Sequence, residues 1–324
     1  MRRDGTIESD SIPDGYISFQ EAKESLPSAT RKHVSEEVAL ETMHISGTGP
    51  ALVFIHGGLG SLWNPFPQLY AFAGDRELIT YALAGNGNST TRPEQSIGGH
   101  VTDLQNLLDS PDIDRPIIHG HSYGTAIAIE YAKEHPTSGL VLHGGGDHGL
   151  TPAWEKPLLR LFFALWLYRL PSNRLLMRQL AHTVGAYETT PSAVLKGFLQ
   201  SNPLPHRRSA WRAVAEAFWG YDGRDDMDRI DCPTLVIHGP ADGVVPLSVA
   251  WKTTGRIDDS VFCRLDRTGH IGMIERPAVY NSLLRAVWRS VEEGDSSVDA
   301  VTAVPETAVQ TSRNTEGHID ESDY

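Results

Sequence analysis

Ser122 lies in Gly120-His-Ser-Tyr-Gly124. A short β-prone run, Arg115-Pro-Ile-Ile-His119, precedes it, and a helical pattern from Thr125 to Lys133 follows, closed by His135-Pro136. A serine hydroxyl is a weak nucleophile until a base takes its proton. A sharp, strained turn from strand to helix exposes Oγ at the end of a sheet, and small residues at Gly120 and Gly124 let such a turn close. The helix behind it directs its N-terminus at the place where negative charge develops. The chemistry this arrangement suits is acyl transfer.

An activated serine needs a base, and the base needs an orienting acid. Residues 233–246 read Pro-Thr-Leu-Val-Ile-His-Gly-Pro-Ala-Asp-Gly-Val-Val-Pro, a buried-type strand from Thr234 to His238 and then a turn carrying Asp242. Residues 260–272 read Ser-Val-Phe-Cys-Arg-Leu-Asp-Arg-Thr-Gly-His-Ile-Gly, a strand and then a loop carrying His270. Ser122, Asp242 and His270 thus each follow a predicted strand. In a parallel sheet the loops after strands gather at one edge, so the three can converge. Asp147 is a rival acid, since it follows Gly139-Leu-Val-Leu-His143 through a glycine loop. Asp266 precedes the tip of the His270 loop and reads as structural.

A fourth stretch can stabilise an oxyanion. Leu52-Val-Phe-Ile55 is a continuous apolar run, as a buried parallel strand requires. His56-Gly57-Gly58-Leu59-Gly60 follows at its carboxyl end, and its glycines allow the backbone to approach a substrate oxygen. Gly58 and Leu59 both remain candidates for presenting the N–H.

With these four motifs in their order, His56-Gly57-Gly58, Ser122, Asp242 and Gly269-His270, the chain resembles the α/β-hydrolase superfamily over about residues 38–290. The resemblance implies Ser122 as nucleophile, His270 as general base and acid, and Asp242 as orienter. It favours Asp242 over Asp147 because Gly-Pro-Ala-Asp-Gly matches the usual turn, and it implies an oxyanion hole from the N–H groups of Tyr123 and Gly58. One departure stands out. Family members often carry a charged pair in the loop after the next strand. Residues 81–89 here read Tyr-Ala-Leu-Ala-Gly-Asn-Gly-Asn-Ser, with Ala82 and Ala84 in place of that pair, which puts the loop's hydrogen bonding in question.

The elements that must position these residues predict an α/β fold: a mostly parallel sheet flanked by helices, with an inserted helical cap. Val38 to Ile45 alternates as a strand, Glu77 to Ala82 is a buried strand, and Thr102 to Asp109 has helical spacing. The alternation of strands and helices stops near residue 147, resumes at 234 and ends in a helix from Ala278 to Glu292. The organisation expected is a polar extension over 1–35, a core over 36–146 and 229–292, a cap over 147–228, and an acidic, disordered tail over 293–324.

The 324 residues are 40% apolar and carry a formal charge of −13. Residues 291–324 hold nine Asp and Glu against one Arg, so the acidity is mainly a property of the tail and argues against nucleic-acid binding. No apolar signal core follows Met1-Arg-Arg, and no stretch reaches the length of a membrane span. The two cysteines, Cys232 and Cys263, read as buried thiols and suit a reducing cytosol, so a cytoplasmic location is expected. The 14 histidines form no metal-binding spacing, and the chemistry requires no cofactor. His119, His121 and His143 neighbour the site and tune it or pack.

Specificity is expected in the cap. It carries Trp154, Trp166, Trp211 and Trp219, and its residues 157–170 are apolar nearly all round a helix. Phe162, Phe163 and Trp166, with Leu59, are the candidate pocket wall for an apolar acyl or aryl group. A packed cap helix and contact with a membrane surface are the other readings of that segment. The expected function is a serine hydrolase cleaving a carboxylic ester with an apolar acyl or alcohol part through an acyl-enzyme intermediate. A thioesterase or amidase would use the same machinery, and so would a carbon–carbon bond hydrolase using Arg207, Arg208 or Arg212 to hold a carboxylate. A non-enzymatic ligand receptor is the reading from another class. Epoxide hydrolysis and dehalogenation want Asp where Ser122 stands.

Overall fold

A computed structural model of the protein describes residues 15–58, 60–92, 95–110, 113–148, 186–202, 217–218, 221–294 and 309–313. Leu59 and the 157–170 segment, with Phe162, Phe163 and Trp166, lie outside the described residues, as do Arg207, Arg208 and Arg212.

The described strands are β1 (Thr30–His33), β2 (Ala39–Ile45), β3 (Thr48–Ile55), β4 (Arg76–Tyr81), β5 (Ile117–His121), β6 (Gly139–His143), β7 (Thr234–His238), β8 (Ser260–Leu265) and β9 (Val309–Arg313). They form one sheet in the order β1-β2-β4-β3-β5-β6-β7-β8-β9. Pairing is parallel from β4 through β3 to β8, and antiparallel at β1–β2, β2–β4 and β8–β9. Every residue of β5, β6 and β7 is buried. That is why these strands read as unbroken apolar runs rather than as alternation. Two apolar clusters lie on the two faces of the sheet. One gathers Phe54, Leu69, Phe72 and Trp288, and the other Leu104, Ile127, Ile129 and Ile257. The order reverses around β3 and β5, and ligand crevices of open α/β sheets form at the carboxyl ends beside such a reversal.

The helices are α1 (Phe19–Ser25), α2 (Phe66–Phe72), α3 (Ile97–Leu108), α4 (Tyr123–Glu134), α5 (Ser192–Ser201), α6 (Leu247–Thr254), α7 (Gly272–Glu275) and α8 (Pro277–Glu293). The start of α3 precedes the expected one. Its N-cap Ser96 accepts from Gly99 N–H, and Gly98 and Gly99 in the first turn hide the helical signal. The end of α8 matches its sequence signal, with Gly294 in the left-handed region at φ 71°. None of the described helices is long and apolar enough to cross a membrane.

Two boundaries differ from the sequence reading. Residues 19–33, inside the expected polar extension, include α1 and β1, which pack on or pair with the sheet. Phe19 and Ala22 of α1 are buried, and the Phe19 ring meets Trp63 and Phe66 edge-on at 5.8 and 5.5 Å. β1 is exposed along its whole length and is held by its backbone ladder to β2. An all-polar edge strand has no apolar periodicity to betray it. The same reason applies to the tail, where 309–313 forms β9 instead of being disordered. β9 pairs with the outer edge of β8 from Val261↔Arg313 to Leu265↔Val309. A backbone ladder needs no apolar composition, only an open edge. Truncation after Gly294 would leave that edge unpaired. The truncated chain is expected to scatter light on heating at a lower temperature than the full chain, and coincident melting and scattering curves would count against this role for β9.

Only part of the expected cap is described. α5 is helical, and an isolated bridge, His148↔Asp222, joins the two ends of the insertion where they leave the core.

Candidate active site

Ser122 closes β5 and caps α4 with φ 54° and ψ −120°. This is a backbone conformation that non-glycine residues rarely adopt, and it persists only where the surroundings enforce it. The enforcement is visible. Ser122 N–H donates to His143 O at 2.8 Å, and Thr125 N–H donates to Ser122 O at 2.9 Å. A Cβ at Gly120 would stand 2.4 Å from Gly124 O, and one at Gly124 would stand 2.5 Å from Ile55 O. Both positions therefore exclude any side chain, and the turn packs directly on the end of β3.

His270 follows β8, and its Nδ1–H donates to Asp242 Oδ2 at 2.8 Å. The other carboxylate oxygen, Oδ1, accepts from Val244 N–H at 2.8 Å and Val245 N–H at 2.9 Å. The carboxylate is thereby fixed in rotation, and its side chain is only 1% exposed. Burial opposes its ionisation, but the His270 imidazole, through charge and hydrogen bond, with His238 and the Val245 N–H, holds the acid below its usual range. With Nδ1 committed to Asp242, Nε2 is the ring nitrogen left to exchange a proton.

The rival acid is engaged elsewhere. Asp147 is fully buried and accepts from Arg256 Nη1 at 2.7 Å and His148 Nδ1 at 2.7 Å. Its backbone N–H meets Thr253 Oγ1, and its carbonyl accepts from Gly223 N–H at 2.7 Å. It ties the exit of β6 to α6 and to the returning end of the insertion. Asp266 contacts Arg264 at 3.1 Å.

The Ser122 and His270 loops are joined through the residue before the serine. His121 Nε2–H donates to His270 O at 2.9 Å, and the two rings lie 5.0 Å apart. The 143–145 turn packs against both loops, since a Cβ at Gly144 would stand 3.2 Å from His270 Nδ1 and one at Gly145 would stand 2.7 Å from Ser122 O.

Tyr123 N–H sits at the first position of α4, where helix geometry offers no partner within the helix. The Tyr123 side chain turns inward, 3% exposed, against His100 and Phe218. Gly58 follows β3 across from this turn, and two side chains shape its loop. His56 donates from Nδ1 to Gly57 O at 2.6 Å and accepts Leu83 N–H on Nε2 at 3.0 Å, so both ring nitrogens are used by the neutral form. Burial takes the His56 pKa down to about 4. Asn86 Nδ2 donates to Gly60 O at 3.1 Å and Gly58 O at 3.4 Å. The loop with Ala82 and Ala84 thus makes its hydrogen bonds without a charged pair. Ser89 Oγ donates to Ala82 O at 2.6 Å, Gln95 to Ala84 O at 3.0 Å, and Glu41 accepts from Asn88.

Sequence reasoning assigned no role to His56, Asn86 or Glu275. The first two have a local signal, since they flank glycines in the two loops beside the site. Glu275 has none, because its partners come from three separate segments.

Beneath the site lies a row of buried histidines on adjacent strands: His119 and His121 of β5, His143 of β6 and His238 of β7. His121 and His143 are register partners, and their rings lie 4.9 Å apart. His119 Nε2 meets Tyr280 Oη at 2.6 Å. Burial drives the pKa of His119 and His121 down to about 3, with repulsion from neighbouring rings adding to it at His121, and burial lowers His143 and His238 as well, so the row is neutral.

A family model described as "alpha/beta hydrolase fold" matches residues 50–277. The candidate carbamate hydrolase RutD of Escherichia coli O1:K1 is 25% identical over 264 residues, covering 72% of this chain and 90% of the relative. The thermophilic esterase of Thermogutta terrifontis superposes with a TM-score of 0.70 at 20% identity, over 82% of this chain and 99% of that one. The esterase EaEST of Exiguobacterium antarcticum superposes with a TM-score of 0.71 at 18% identity, over 81% and 99%. At these identities the two solved structures speak for the fold alone.

Proposed function

The chain belongs to the α/β-hydrolase-fold family, and from that premise we propose that it is a serine hydrolase acting on a small carboxylic ester with an apolar acyl or alcohol part. The observation that carries this reading is the Asp242–His270 pair, hydrogen-bonded at 2.8 Å and tied by His121 to the strained turn at Ser122. Ser122 Oγ attacks the ester carbonyl carbon while His270 Nε2 takes its proton. Asp242 stabilises the imidazolium and holds the tautomer. The N–H groups of Tyr123 and Gly58 receive the oxyanion of the tetrahedral intermediate. The alcohol leaves with the proton from His270, and a water molecule activated by the same nitrogen then releases the acid from Ser122. The names borne by the relatives favour hydrolysis, and the carbamate hydrolase among them makes carbamates the natural second substrate class to test.

The preference for apolar substrates rests on Leu59, Phe162, Phe163 and Trp166. Its support among the described residues is apolar packing beside the site, where Phe218 meets Tyr123 at 5.7 Å and Ile271, next to His270, packs with Ala186 and Leu195. Each methylene transferred into an apolar pocket is worth about 0.8 kcal/mol, or roughly a four-fold gain in kcat/KM. A p-nitrophenyl ester series, with a matched carbamate, should show that gain per methylene up to an optimum. Phe162→Ala and Trp166→Ala should move the optimum and spare the acetate. If all chain lengths fall together and Tm drops, the segment is packing and not a pocket. A panel on which the wild type turns over nothing would contradict the hydrolase reading itself.

A further inference from the structure

Glu275 is the last residue of α7 and is 3% exposed. Its carboxylate receives donors from two directions. Oε2 accepts Gly269 N–H at 2.8 Å, from the residue just before His270. Oε1 accepts Tyr187 N–H at 2.6 Å and Thr190 Oγ1–H at 2.7 Å, both from the turn that leads into α5 in the middle of the insertion. A backbone N–H cannot become an acceptor, so a proton on Oε2 would confront the Gly269 donor. The ionised carboxylate accepts from all three donors at once. Burial, however, opposes ionisation and raises the Glu275 pKa against the pull of its three donors. A buried carboxylate is an expensive way to fill space, and a neutral side chain would spare that cost.

The residue after His270 meets the same part of the insertion, since Ile271 packs with Ala186 and Leu195. The backbone carbonyl of Glu275 is also fixed, by Tyr16 Oη–H at 2.5 Å. His270 is therefore gripped on both flanks by contacts reaching residues 186–195, while His121 holds its carbonyl from the core side.

We propose that Glu275 is a positioning residue that sets the His270 loop and the 187–190 turn of the insertion in one register, so that a movement of that turn reaches the imidazole. The proposal rests on His270 being the base. Glu275 acts through Gly269 and touches neither substrate nor the reacting atoms. Occupation of the insertion by a substrate group then bears on the base as well as on binding.

The test uses the full chain with ¹³Cε1-labelled histidine, the His270 signal being assigned by its loss in His270→Gln. Glu275→Gln keeps the shape but turns an N–H₂ donor toward either Gly269 N–H or Tyr187 N–H. The His270 resonance should move, and kcat on an acetate ester should fall by about 10- to 100-fold, the scale of a misplaced catalytic group, with KM changed far less. Thr190→Val removes one donor on the insertion side only and serves if the first variant does not fold. It should move the same resonance in the same direction, with a smaller loss of kcat. A His270 resonance at its wild-type position in the folded variants overturns the proposal, whatever happens to Tm or turnover. A wild type without esterase activity would count against the hydrolase reading alone, because the resonance still reports whether Glu275 holds the imidazole.

Discussion

Asp242→Asn is expected to lower kcat on a simple ester by about 10⁴-fold while the protein stays folded, the loss known for this substitution in other serine triads. An amide can present its N–H₂ to His270 Nδ1, which would then give up its proton and leave Nε2 protonated and unable to act as base. Oδ1 of the residue can still accept the N–H groups of Val244 and Val245, which is why the fold should tolerate the change. The control is Asp147→Asn. Asp147 contacts Arg256 and His148 and has no contact with His270. Its variant should lose about 1–3 kcal/mol of stability, as for a weakened buried hydrogen-bonded charge, and keep turnover per folded molecule within several-fold. Collapse of the Asp147 variant with a healthy Asp242 variant would reverse the assignment.

The second large effect concerns acid. His56, His100, His119 and His121 are buried neutral, with pKa values taken down to about 4 for the first and about 3 for the others, chiefly by burial. In the unfolded chain each titrates near 6.5. Above that pH neither state binds the proton and the groups cost nothing. Below it the unfolded state binds protons that the fold refuses, and stability falls by about 1.4 kcal/mol per group per pH unit. The window runs from about 6.5 down toward 4. The raised carboxyls of Asp103 and Glu275 act with the opposite sign, since the fold binds their protons first. From pH 7.5 to 5.5 the four histidines alone remove about 5 kcal/mol, comparable to the whole stability of an ordinary domain. Urea unfolding at the two pH values should show the midpoint collapsing at the lower one. Equal midpoints would mean that the buried rings accept protons in the folded state.

How much of this was legible in the sequence depended on where the information lay. β5, β6, β7 and β8 announce themselves as apolar runs because both faces are covered, and each ends in a loop that carries a site residue or supports one. The order of Ser122, Asp242 and His270 along the chain and the turn chemistry around them were therefore readable. The choice between Asp242 and Asp147 was not settled by spacing, because both follow buried strands. What separates them is the partner each meets: Asp147 faces Arg256, from the turn after α6, more than a hundred residues away in the chain. α1, β1 and β9 are short or polar, and are held by a few aromatic contacts or by backbone pairing, so no periodicity marks them. The histidine row was visible as residue types near the site, but its burial follows from cross-strand register, which no single strand contains. Glu275 lay furthest from sight, since its three donors meet only when the β8 loop, α7 and the 187–190 turn of the insertion are packed together.

The hydrolase chemistry proposed for this chain stands on Ser122 as the nucleophile. Treatment of the full chain with a fluorophosphonate, followed by peptide mapping, tests that assignment. One adduct is expected, on the peptide containing Ser122, and none on Ser122→Ala; equal labelling of the two proteins, or an adduct on a different residue, would rule Ser122 out as the nucleophile.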